Sequence, residues 1–326
     1  MERTIFPATR SLPPVLRTSA PPAAARMSPI ANPSCPVPDA EPERAAARVP
    51  EPAAEKRGDR VAVPWRGRTV HIEHAWVGPA GTPGDDTPLV VFLHEGLGSL
   101  SAWRDFPARL CAALGARGLV YSRPGYGAST PRPAGERWEP DFMHRQAHEV
   151  LPALLQALGI DAATARPWLF GHSDGGSIAL LYAARFDDAL AGAIVLAPHI
   201  LVEEFGLRSI RRARSAYVEG DLKPRLARHH ADPDSAFFGW NDAWLDPAFT
   251  RWSIEGEIGS IRCPVLAVQG LDDEYGTLEQ VRGIARRVPG TQLLELPHCG
   301  HSPQRDQPDA LIEAVKRFVA AHPRGA

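Results

Sequence analysis

The sequence predicts an α/β fold in which a mostly parallel central sheet is flanked by helices and carries a small helical insertion. Short apolar runs without polar alternation, such as 88–94 and 193–196, are typical of strands buried on both faces of a sheet. Along the chain these runs alternate with stretches that space apolar residues as a helix does, and such alternation is typical of parallel sheets. The alternation stops between residues 199 and 259, where the sequence is helical and aromatic in character.

Before the insertion, the pattern predicts a hairpin followed by alternating helices and strands. The hairpin strands are separated by Arg66-Gly67-Arg68, and turn-forming residues fill a predicted loop over 78–87. The predicted elements are strands over 61–65, 69–77, 88–94, 119–121, 168–170 and 193–196 and helices over 101–115, 141–159 and 177–186. After the insertion, the predicted elements are a strand over 265–268, a helix over 278–288, a strand over 292–296 and a closing helix over 308–321.

These elements divide the chain into four segments. Residues 1–58 are rich in Pro, Ala and Arg and have almost no periodic apolar pattern, so we expect a disordered tail. This tail lacks the apolar core of a secretory signal. Its arginines faintly resemble a transit peptide, but we favour a disordered extension or a start nearer Met27. The other segments are expected to be the first part of the core over 59–198, a helical lid insertion over 199–259 and the second part of the core over 260–326.

The composition narrows the classes of function. The chain has 326 residues, 44% of them hydrophobic, which is ample for a large core. A net charge of -2 gives no long-range attraction to nucleic acid or anionic membranes, and no apolar run approaches the roughly 18 to 20 residues of a membrane span. Its 4 cysteines include no Cys-x-x-Cys pair, which suits a reducing cytoplasm. We therefore expect a cytoplasmic protein that acts on a small molecule, with no nucleic-acid or membrane partner; the oligomeric state stays open.

A glycine-flanked serine follows the predicted strand over 168–170. The stretch Gly171-His172-Ser173-Asp174-Gly175 has the Gly-x-Ser-x-Gly pattern that lifts a nucleophilic serine clear of a strand end. Short patterns recur by chance, but here a strand precedes the serine and a helix follows it, which is the context that the pattern requires. Ser173 is therefore the candidate nucleophile, and we expect it to adopt a strained backbone conformation.

A serine hydroxyl becomes a nucleophile only when a base takes its proton, and that base needs an orienting carboxylate. Two loops at predicted strand ends supply both groups. Asp272 and Asp273 follow the strand over 265–268, whereas His298 and His301 follow the strand over 292–296. The resulting order of serine, aspartate and histidine is the order found in α/β-hydrolases.

From about residue 60 to the end, five motifs in order resemble those of the α/β-hydrolase superfamily. They are His94-Glu95-Gly96-Leu97-Gly98, Arg123-Pro124-Gly125-Tyr126-Gly127-Ala128-Ser129, the glycine-flanked serine turn, Gly270-Leu271-Asp272-Asp273 and Gly300-His301. The resemblance implies the α/β-hydrolase fold with a helical lid. It also implies that Ser173, Asp273 and His301 are catalytic, since Asp273 stands three residues after a glycine and His301 directly follows one. Asp272 and His298 are the alternatives.

The oxyanion that a serine attack creates needs preorganised hydrogen-bond donors. The resemblance implies that the backbone N–H of Asp174 is one donor and that of Gly96, or alternatively Leu97, is the second. Glu95 departs from the family, in which a glycine is usual at this position. A carboxylate here would repel the oxyanion unless it is turned away, protonated or paired. Glu95 either braces the loop, which we favour, or contacts a polar or cationic group of the substrate.

Several side chains are candidates for the substrate pocket. They are Glu95, Leu97, His199, Trp240 and Trp244. Four arginines between residues 208 and 214 could hold an anionic group, but the acidic residues of the same segment favour a solvated helix face. His298, Cys299 and His301 would place three metal ligands on one loop without a partner motif, so we expect no metal and no other cofactor.

The predicted function is that of a cofactor-independent serine hydrolase, which cleaves a small or medium carboxylic ester through an acyl-enzyme. A thioesterase, a lactonase or a hydrolase of carbon–carbon bonds would use the same three residues. The alternative from another class is a non-catalytic protein that binds a small ligand on this fold. A binding protein has no need for the complete order of serine, aspartate and histidine, which favours the enzyme.

Overall fold

The strands of the computed structural model form one 8-stranded sheet, in the order β1-β2-β4-β3-β5-β6-β7-β8. The structure describes residues 58–79 and 87–323, so the predicted tail, apart from Gly58, and most of the predicted loop over 78–87 lie outside the described residues. The strands are β1 (Asp59–Trp65), β2 (Arg68–Val77), β3 (Leu89–Leu93), β4 (Arg117–Tyr121), β5 (Trp168–His172), β6 (Gly192–Leu196), β7 (Val265–Gly270) and β8 (Gln292–Leu296).

The sheet is mostly parallel, which confirms the predicted fold class. β1 and β2 form an antiparallel hairpin, β2 also runs antiparallel to β4, and the remaining neighbours pair in parallel. β3 lies between β4 and β5, so the chain order reverses at this point of the sheet. Parallel strands end at a common carboxyl edge, and ligands of open α/β sheets bind in the crevice outside that edge. The loops after β3, β5, β6, β7 and β8 therefore meet where a site is expected.

The sheet separates two apolar cores, because successive side chains of a strand point to opposite faces. In β3, Val91 and Leu93 belong to one core, whereas Val90 and Phe92 belong to the other. β3, β5 and β6 are buried at every residue, which explains why their sequences are apolar without alternation.

Helices cover both faces of this sheet. Side chains of α1 and α11 pack in the core that contains Phe92, and side chains of α3, α5 and α9 pack in the core that contains Val91. The helices are α1 (Phe106–Leu114), α2 (Phe142–Arg145), α3 (Leu151–Ala157), α4 (Ala162–Ala165), α5 (Asp174–Arg185), α6 (Glu204–Val218), α7 (Leu222–Leu226), α8 (Pro233–Trp244), α9 (Glu279–Arg287), α10 (Pro303–Asp306) and α11 (Pro308–Ala321). None of the helices in the described ranges is both long enough and apolar enough to traverse a bilayer.

Two predicted helices are interrupted. The helix predicted over 101–115 is a 3₁₀ turn at Ser101–Trp103 followed by α1, because Arg104 between them has a φ of 55° that no right-handed helix allows. The helix predicted over 141–159 consists of α2, a π-helical turn at Gln146–Val150 and α3. Pro152, in the first turn of α3, has no N–H for the preceding turn, which favours a change in hydrogen-bond pattern there.

The segment from 199 to 259 contributes α6, α7 and α8 together with two short 3₁₀ turns. Helix α6 is amphipathic, with Leu207 and Ile210 buried and its arginines on the exposed face. There Arg211 pairs with Glu204 at 2.6 Å, and Arg214 pairs with Asp242 at 2.6 Å. These arginines therefore lie in solvated ion pairs on the helix surface.

Candidate active site

Ser173 stands at the sharp turn between β5 and α5. Its backbone has a φ of 52° and a ψ of -119°, which a non-glycine residue keeps only when its surroundings enforce it. Gly171 and Gly175 permit this turn. A Cβ on Gly171 would overlap the backbone of Gly175, and a Cβ on Gly175 would overlap the carbonyl of Leu93. The close approach of β3, β5 and α5 thus depends on these two glycines, as the sequence pattern predicts.

A chain of hydrogen bonds leads from Ser173 to a buried carboxylate. His301 Nε2 lies 2.9 Å from Ser173 Oγ, and His301 Nδ1 lies 2.9 Å and 3.0 Å from the two carboxylate oxygens of Asp273. When Nδ1–H donates to Asp273, Nε2 is left to accept the hydroxyl proton of Ser173. The structure therefore brings these three predicted residues together in the geometry of a nucleophile, a base and an orienting acid.

Four donors surround the carboxylate of Asp273. Besides His301, Oδ1 accepts from the backbone N–H groups of Tyr275 at 2.8 Å and Gly276 at 3.3 Å, and Oδ2 accepts from Gln269 Nε2 at 2.9 Å. Burial works against the charged carboxylate, but His301 and the N–H of Tyr275 hold the pKa of Asp273 below its ordinary value. Burial also works against a charged imidazole, yet Asp273 raises the pKa of His301 above its ordinary value.

The two alternative residues lie outside this arrangement. The side chains of Asp272 and His298 are exposed, and neither lines the cavity beside Ser173. His298 has a φ of 52° in the turn that leads from β8 to His301. Its backbone conformation thus helps to direct the chain toward the site.

The loop after β3 is fixed by the fully buried Arg123. Its guanidinium donates to the carbonyl oxygen of Glu95 at 2.9 Å, and its backbone N–H donates to His94 Nε2 at 3.0 Å. His94 Nδ1–H donates to the same Glu95 carbonyl at 2.7 Å. Burial and the neighbouring Arg123 hold the pKa of His94 well below its ordinary value, so His94 is neutral. These contacts set the backbone that carries Gly96.

Gly96 and Leu97 lie beside Ser173, at positions that the sequence predicts for an oxyanion donor. Gly96 is packed against α8, since a Cβ there would overlap Trp240 Nε1. The carbonyl of Leu97 accepts a hydrogen bond from His230 Nε2 at 3.0 Å. The loop is therefore held from the helical segment as well as from the core.

The carboxylate of Glu95 is paired. Its Oε2 lies 3.5 Å from His172 Nδ1, and its Oε1 lies 3.9 Å from Arg305. Burial disfavours the charged form, but the interactions with His172 and Arg305 hold the pKa of Glu95 well below its ordinary value. An ionised, paired Glu95 fits the predicted bracing role, and it also lines the cavity beside Ser173.

The carboxylate of Asp174 points into the protein. Its Oδ1 accepts a hydrogen bond from Trp244 Nε1 at 3.1 Å, and its Oδ2 lies 3.6 Å from Arg123. Burial raises the pKa of Asp174, although Arg123 and Trp244 oppose the rise. Its backbone N–H is the first of α5, and the first N–H groups of a helix have no partner within the helix. That N–H is therefore available to a ligand at Ser173.

A cavity of about 110 Å³ opens beside Ser173. Its lining residues are Glu95, Gly96, Leu97, His172, Ser173, Asp174, His199, Ile210, Trp240, Trp244, Tyr275, His301 and Ser302. All five predicted pocket residues are among them. His172, Ile210, Tyr275 and Ser302 are further lining residues that sequence analysis did not single out. His172 and Ser302 each adjoin a predicted catalytic residue, whereas Ile210 carries no signal beyond the helical pattern of α6.

The loop that carries His298, Cys299 and His301 does not assemble a metal site. His298 is exposed, Cys299 is buried, and His301 is engaged with Ser173 and Asp273. Within residues 58–79 and 87–323, no group of three or more His, Cys, Asp or Glu side chains is arranged to hold a metal ion.

The fold and this arrangement agree with a family assignment from comparison. Residues 90–314 match the sequence model of the Alpha/beta hydrolase family, and the chain therefore belongs to that family.

Named hydrolases are among the relatives of this chain, and its fold is similar to that of a solved esterase structure. It is 23% identical over 278 residues to the 2-hydroxy-6-oxo-6-phenylhexa-2,4-dienoate hydrolase of Burkholderia cepacia, covering 77% of this chain and 91% of the relative. It is 27% identical over 263 residues to an esterase of Mycobacterium tuberculosis, covering 72% and 83%. A thermophilic esterase from Thermogutta terrifontis superposes with a TM-score of 0.60 at 21% identity, covering 82% of this chain and 100% of that one. The chain is thus a hydrolase of this family, and the identities leave its substrate open.

Proposed function

We propose that the protein is a serine hydrolase that cleaves small carboxylic esters through an acyl-enzyme, without a cofactor. The observation that carries this proposal is the hydrogen-bonded chain from Ser173 Oγ through His301 to Asp273, with distances of 2.9 to 3.0 Å. A hydroxyl, an imidazole and a buried carboxylate in this order generate a nucleophile at neutral pH. The esterase among its relatives supports the same reaction class.

In the first half of the reaction, Ser173 Oγ attacks the ester carbonyl carbon while its proton moves to His301 Nε2. The electron pair of the C=O bond moves to the carbonyl oxygen and forms the oxyanion. Collapse of this intermediate breaks the bond to the leaving alcohol, which takes the proton from His301. Asp273 stabilises the imidazolium that exists between these two proton transfers. Water then repeats the sequence on the acyl-enzyme and releases the acid.

Two backbone donors would stabilise the oxyanion. The first is the N–H of Asp174 at the amino end of α5, where the helix dipole also favours negative charge. The second is the N–H of Gly96, with that of Leu97 as the alternative; both residues line the cavity beside Ser173.

The size and chemistry of the cavity favour a small, uncharged substrate. Its volume of about 110 Å³ is well below the roughly 300–1,000 Å³ of drug-sized ligand sites. Ile210, Trp240 and Trp244 supply apolar walls suited to a short acyl chain. Among the described residues, the lining includes no lysine or arginine, and the carboxylates of its acidic residues Glu95 and Asp174 are directed to other partners, so an anionic group of a substrate would find no cationic partner there.

The chemistry of the cavity lining also ranks the alternative functions against an esterase. The dienoate named in the Burkholderia cepacia relative carries a carboxylate, and the lining offers that group no lysine or arginine. A hydrolase of such carbon–carbon bonds is therefore a weaker candidate than an esterase. Thioesters and lactones of similar size would suit the same residues. A non-catalytic binding protein would leave the hydrogen bond between Ser173 and His301 without a role.

We also propose that the enzyme works in the cytoplasm. The buried cysteines Cys111 and Cys299 are free thiols, which supports a reducing compartment. The described part of the chain also includes no Cys-x-x-Cys motif that would indicate a disulfide pair.

The test is hydrolysis of p-nitrophenyl esters from acetate to decanoate, alongside acyl-CoA thioesters and lactones, with wild type and Ser173→Ala. We expect turnover to be highest with the shortest esters and to fall about 10⁴-fold or more in Ser173→Ala. Ser215→Ala, which changes an exposed serine of α6, is the matched control and should retain full activity.

A fluorophosphonate that labels serine nucleophiles reports on the site independently of the substrate. Labelling of the wild type without ester turnover would mean a more specialised substrate. If the wild type neither labels nor hydrolyses any of these compounds, the serine hydrolase proposal is wrong and the binding protein takes its place.

A further inference from the structure

A second imidazole lies beside the proposed nucleophile. His199 Nε2 stands 3.5 Å from Ser173 Oγ, whereas His301 Nε2 stands 2.9 Å from the same atom. The rings of His199 and His301 are 5.9 Å apart between centroids, so they approach the hydroxyl from different directions. His199 is 6% exposed, and its ring packs edge-to-face with that of Trp244, with 4.9 Å between the ring centroids. Ser173 Oγ therefore lies between two histidines.

The backbone around His199 is built to hold this position. Ala197, at the end of β6, has a φ of 43°, which is strained for a residue with a Cβ and is retained where the surroundings enforce it. Ser177 of α5 makes two hydrogen bonds to the backbone of His199. Its hydroxyl donates to the His199 carbonyl at 2.6 Å and accepts from the His199 N–H at 3.0 Å. Helix α5, which directly follows Ser173, thus also fixes the backbone of His199.

The hydrogen bonds at Ser173 define what His199 is able to do. The single hydroxyl proton of Ser173 is directed to His301 Nε2, because Nδ1–H of His301 is held by Asp273. His199 therefore faces a lone pair of Oγ, and only an Nε2–H tautomer makes that contact favourable. Burial and the neighbouring His301 lower the pKa of His199 to about 3, so its ring is neutral and too weak a base to compete for the proton.

We propose that His199 is an additional catalytic residue, whose Nε2–H donates to Ser173 Oγ and stabilises the negative charge that this oxygen carries in both halves of the reaction. The inference rests on the proposed serine hydrolase function. It assigns His199 a role at the nucleophilic oxygen, distinct from that of the two backbone N–H groups at the carbonyl oxygen.

His199 keeps its proton throughout. As Oγ loses its proton to His301, negative charge builds on Oγ and the contact with His199 strengthens; bond formation to the carbonyl carbon then passes this charge to the carbonyl oxygen. In the acyl-enzyme Oγ is an uncharged ester oxygen. When water has added and the C–Oγ bond breaks, Oγ leaves with the electron pair, His199 again stabilises it, and His301 returns the proton to Oγ. A hydrogen bond that is 3.5 Å in the resting enzyme is expected to shorten when its acceptor becomes charged.

The test compares His199→Gln, which keeps an N–H donor near the position of Nε2, with His199→Leu, which fills similar space without a donor. Hydrolysis of p-nitrophenyl acetate and the rate of fluorophosphonate labelling at Ser173 are measured for both variants. We expect His199→Leu to lower kcat and the labelling rate by about tenfold to a hundredfold, with KM changed by less than threefold. His199→Gln should recover most of the loss. His71→Gln, at an exposed histidine of β2, is the matched control.

Three outcomes would overturn the proposed role of His199 as a hydrogen-bond donor. If His199→Leu matches the wild type in both measurements, or if His199→Gln is as impaired as His199→Leu at equal melting temperature, the role of His199 as a donor is wrong. A rise in KM alone would likewise overturn it, since that is the behaviour of a pocket wall. In these cases Ser173→Ala remains inactive, so failure of this inference is distinguishable from failure of the proposed function.

Discussion

Single residues set the acid–base properties of the site, and the two imidazoles beside Ser173 are affected in opposite directions. The contact with Asp273 raises the pKa of His301, whereas burial lowers that of His199. His199 is buried and lies beside the like charge that His301 can carry, whereas His301 contacts the carboxylate of Asp273. One imidazole is thus suited to take up a proton at neutral pH, and the other remains uncharged.

This difference predicts a pH dependence. His301 must be neutral to accept the proton of Ser173, so kcat/KM should fall as pH drops through the pKa of His301 in the free enzyme, which lies above the ordinary value of 6.5. Asp273→Asn removes the charge that stabilises the imidazolium. The pKa of His301 should then fall, the loss of activity should move to lower pH, and kcat should drop about a thousandfold or more. Stopped assays between pH 4 and pH 9 measure both effects.

The adjacent Asp272 provides the control for that experiment. Its side chain is exposed, and Asp272→Asn should leave both the pH profile and kcat unchanged. A larger loss in Asp272→Asn than in Asp273→Asn would mean that the wrong carboxylate has been assigned to His301.

Among the site residues, the sequence was most informative for those that stand at a fixed spacing from a motif glycine. Ser173, Asp273 and His301 follow from motif spacing, and the structure brings them within hydrogen-bond distance. The pairing of Glu95 with His172 and Arg305 has no such signal, because it joins the loop after β3 to the last residue of β5 and to α10. Contacts of that kind depend on the order of the strands.

Among the elements, the loop after β3 and helix α8 depend on each other. Gly96 accepts no Cβ because Trp240 Nε1 occupies that space, and Trp240 is itself only 6% exposed. The loop that would supply an oxyanion donor is therefore in direct contact with the helical segment. A substitution in the loop should therefore alter the position of α8, and a substitution in α8 should alter the loop.

Gly96→Ala tests this coupling. The added methyl group must displace either the loop or Trp240, so we expect kcat on p-nitrophenyl acetate to fall at least tenfold. The double variant Gly96→Ala with Trp240→Leu should be more active than the product of the two single effects implies, because the smaller side chain makes room for the methyl group. Strictly multiplicative effects in the double-mutant cycle would show that the two positions are independent.

Element boundaries were predictable where apolar spacing agrees with a proline in the first turn, as in α11, which matches the predicted helix over 308–321. They were not predictable where tertiary structure overrides a local pattern. The apolar spacing over 101–115 continues through Arg104, yet the backbone there turns to a φ of 55°. The spacing over 141–159 likewise gives no sign of the π-helical turn at Gln146–Val150. The apolar periodicity of a sequence indicates which face of a helix is buried, but it does not indicate the hydrogen-bond pattern of each turn.

For the whole molecule, the alternation of strands and helices sufficed to predict a mostly parallel sheet, but not the order of its strands. The position of β3 between β4 and β5 depends on pairing between residues far apart in sequence, such as Val90 with Trp168 and Val90 with Gly118. That order decides which loops meet at the site. The loop after β6, which carries His199, lies next to the turn at Ser173 because β5 and β6 are neighbours.

The whole-molecule prediction concerns the first 58 residues. Their composition predicts a segment that contributes no apolar core, and among the described residues the strands, both cores and the site are formed by residues from Asp59 onward. A chain that begins at Asp59 should therefore keep the melting temperature within about 2 °C and kcat/KM within twofold of the full-length protein. A larger fall in either quantity would mean that the removed residues stabilise the fold or contribute to the site.

Removal of α11 at the other end provides the contrast that makes this result informative. Leu311, Ile312, Val315 and Phe318 of this helix are all at most 8% exposed, and Phe318 contacts the ring of Trp168 at 5.7 Å. Burying four such side chains is worth roughly 6–12 kcal/mol, which is comparable with the about 5–15 kcal/mol by which a typical domain is stable. A chain that ends at Gln307 should therefore lose cooperative thermal unfolding. The composition of the first 58 residues predicts no such buried face. Truncation at the amino end should therefore leave thermal unfolding unchanged, whereas truncation at the carboxyl end should abolish its cooperativity.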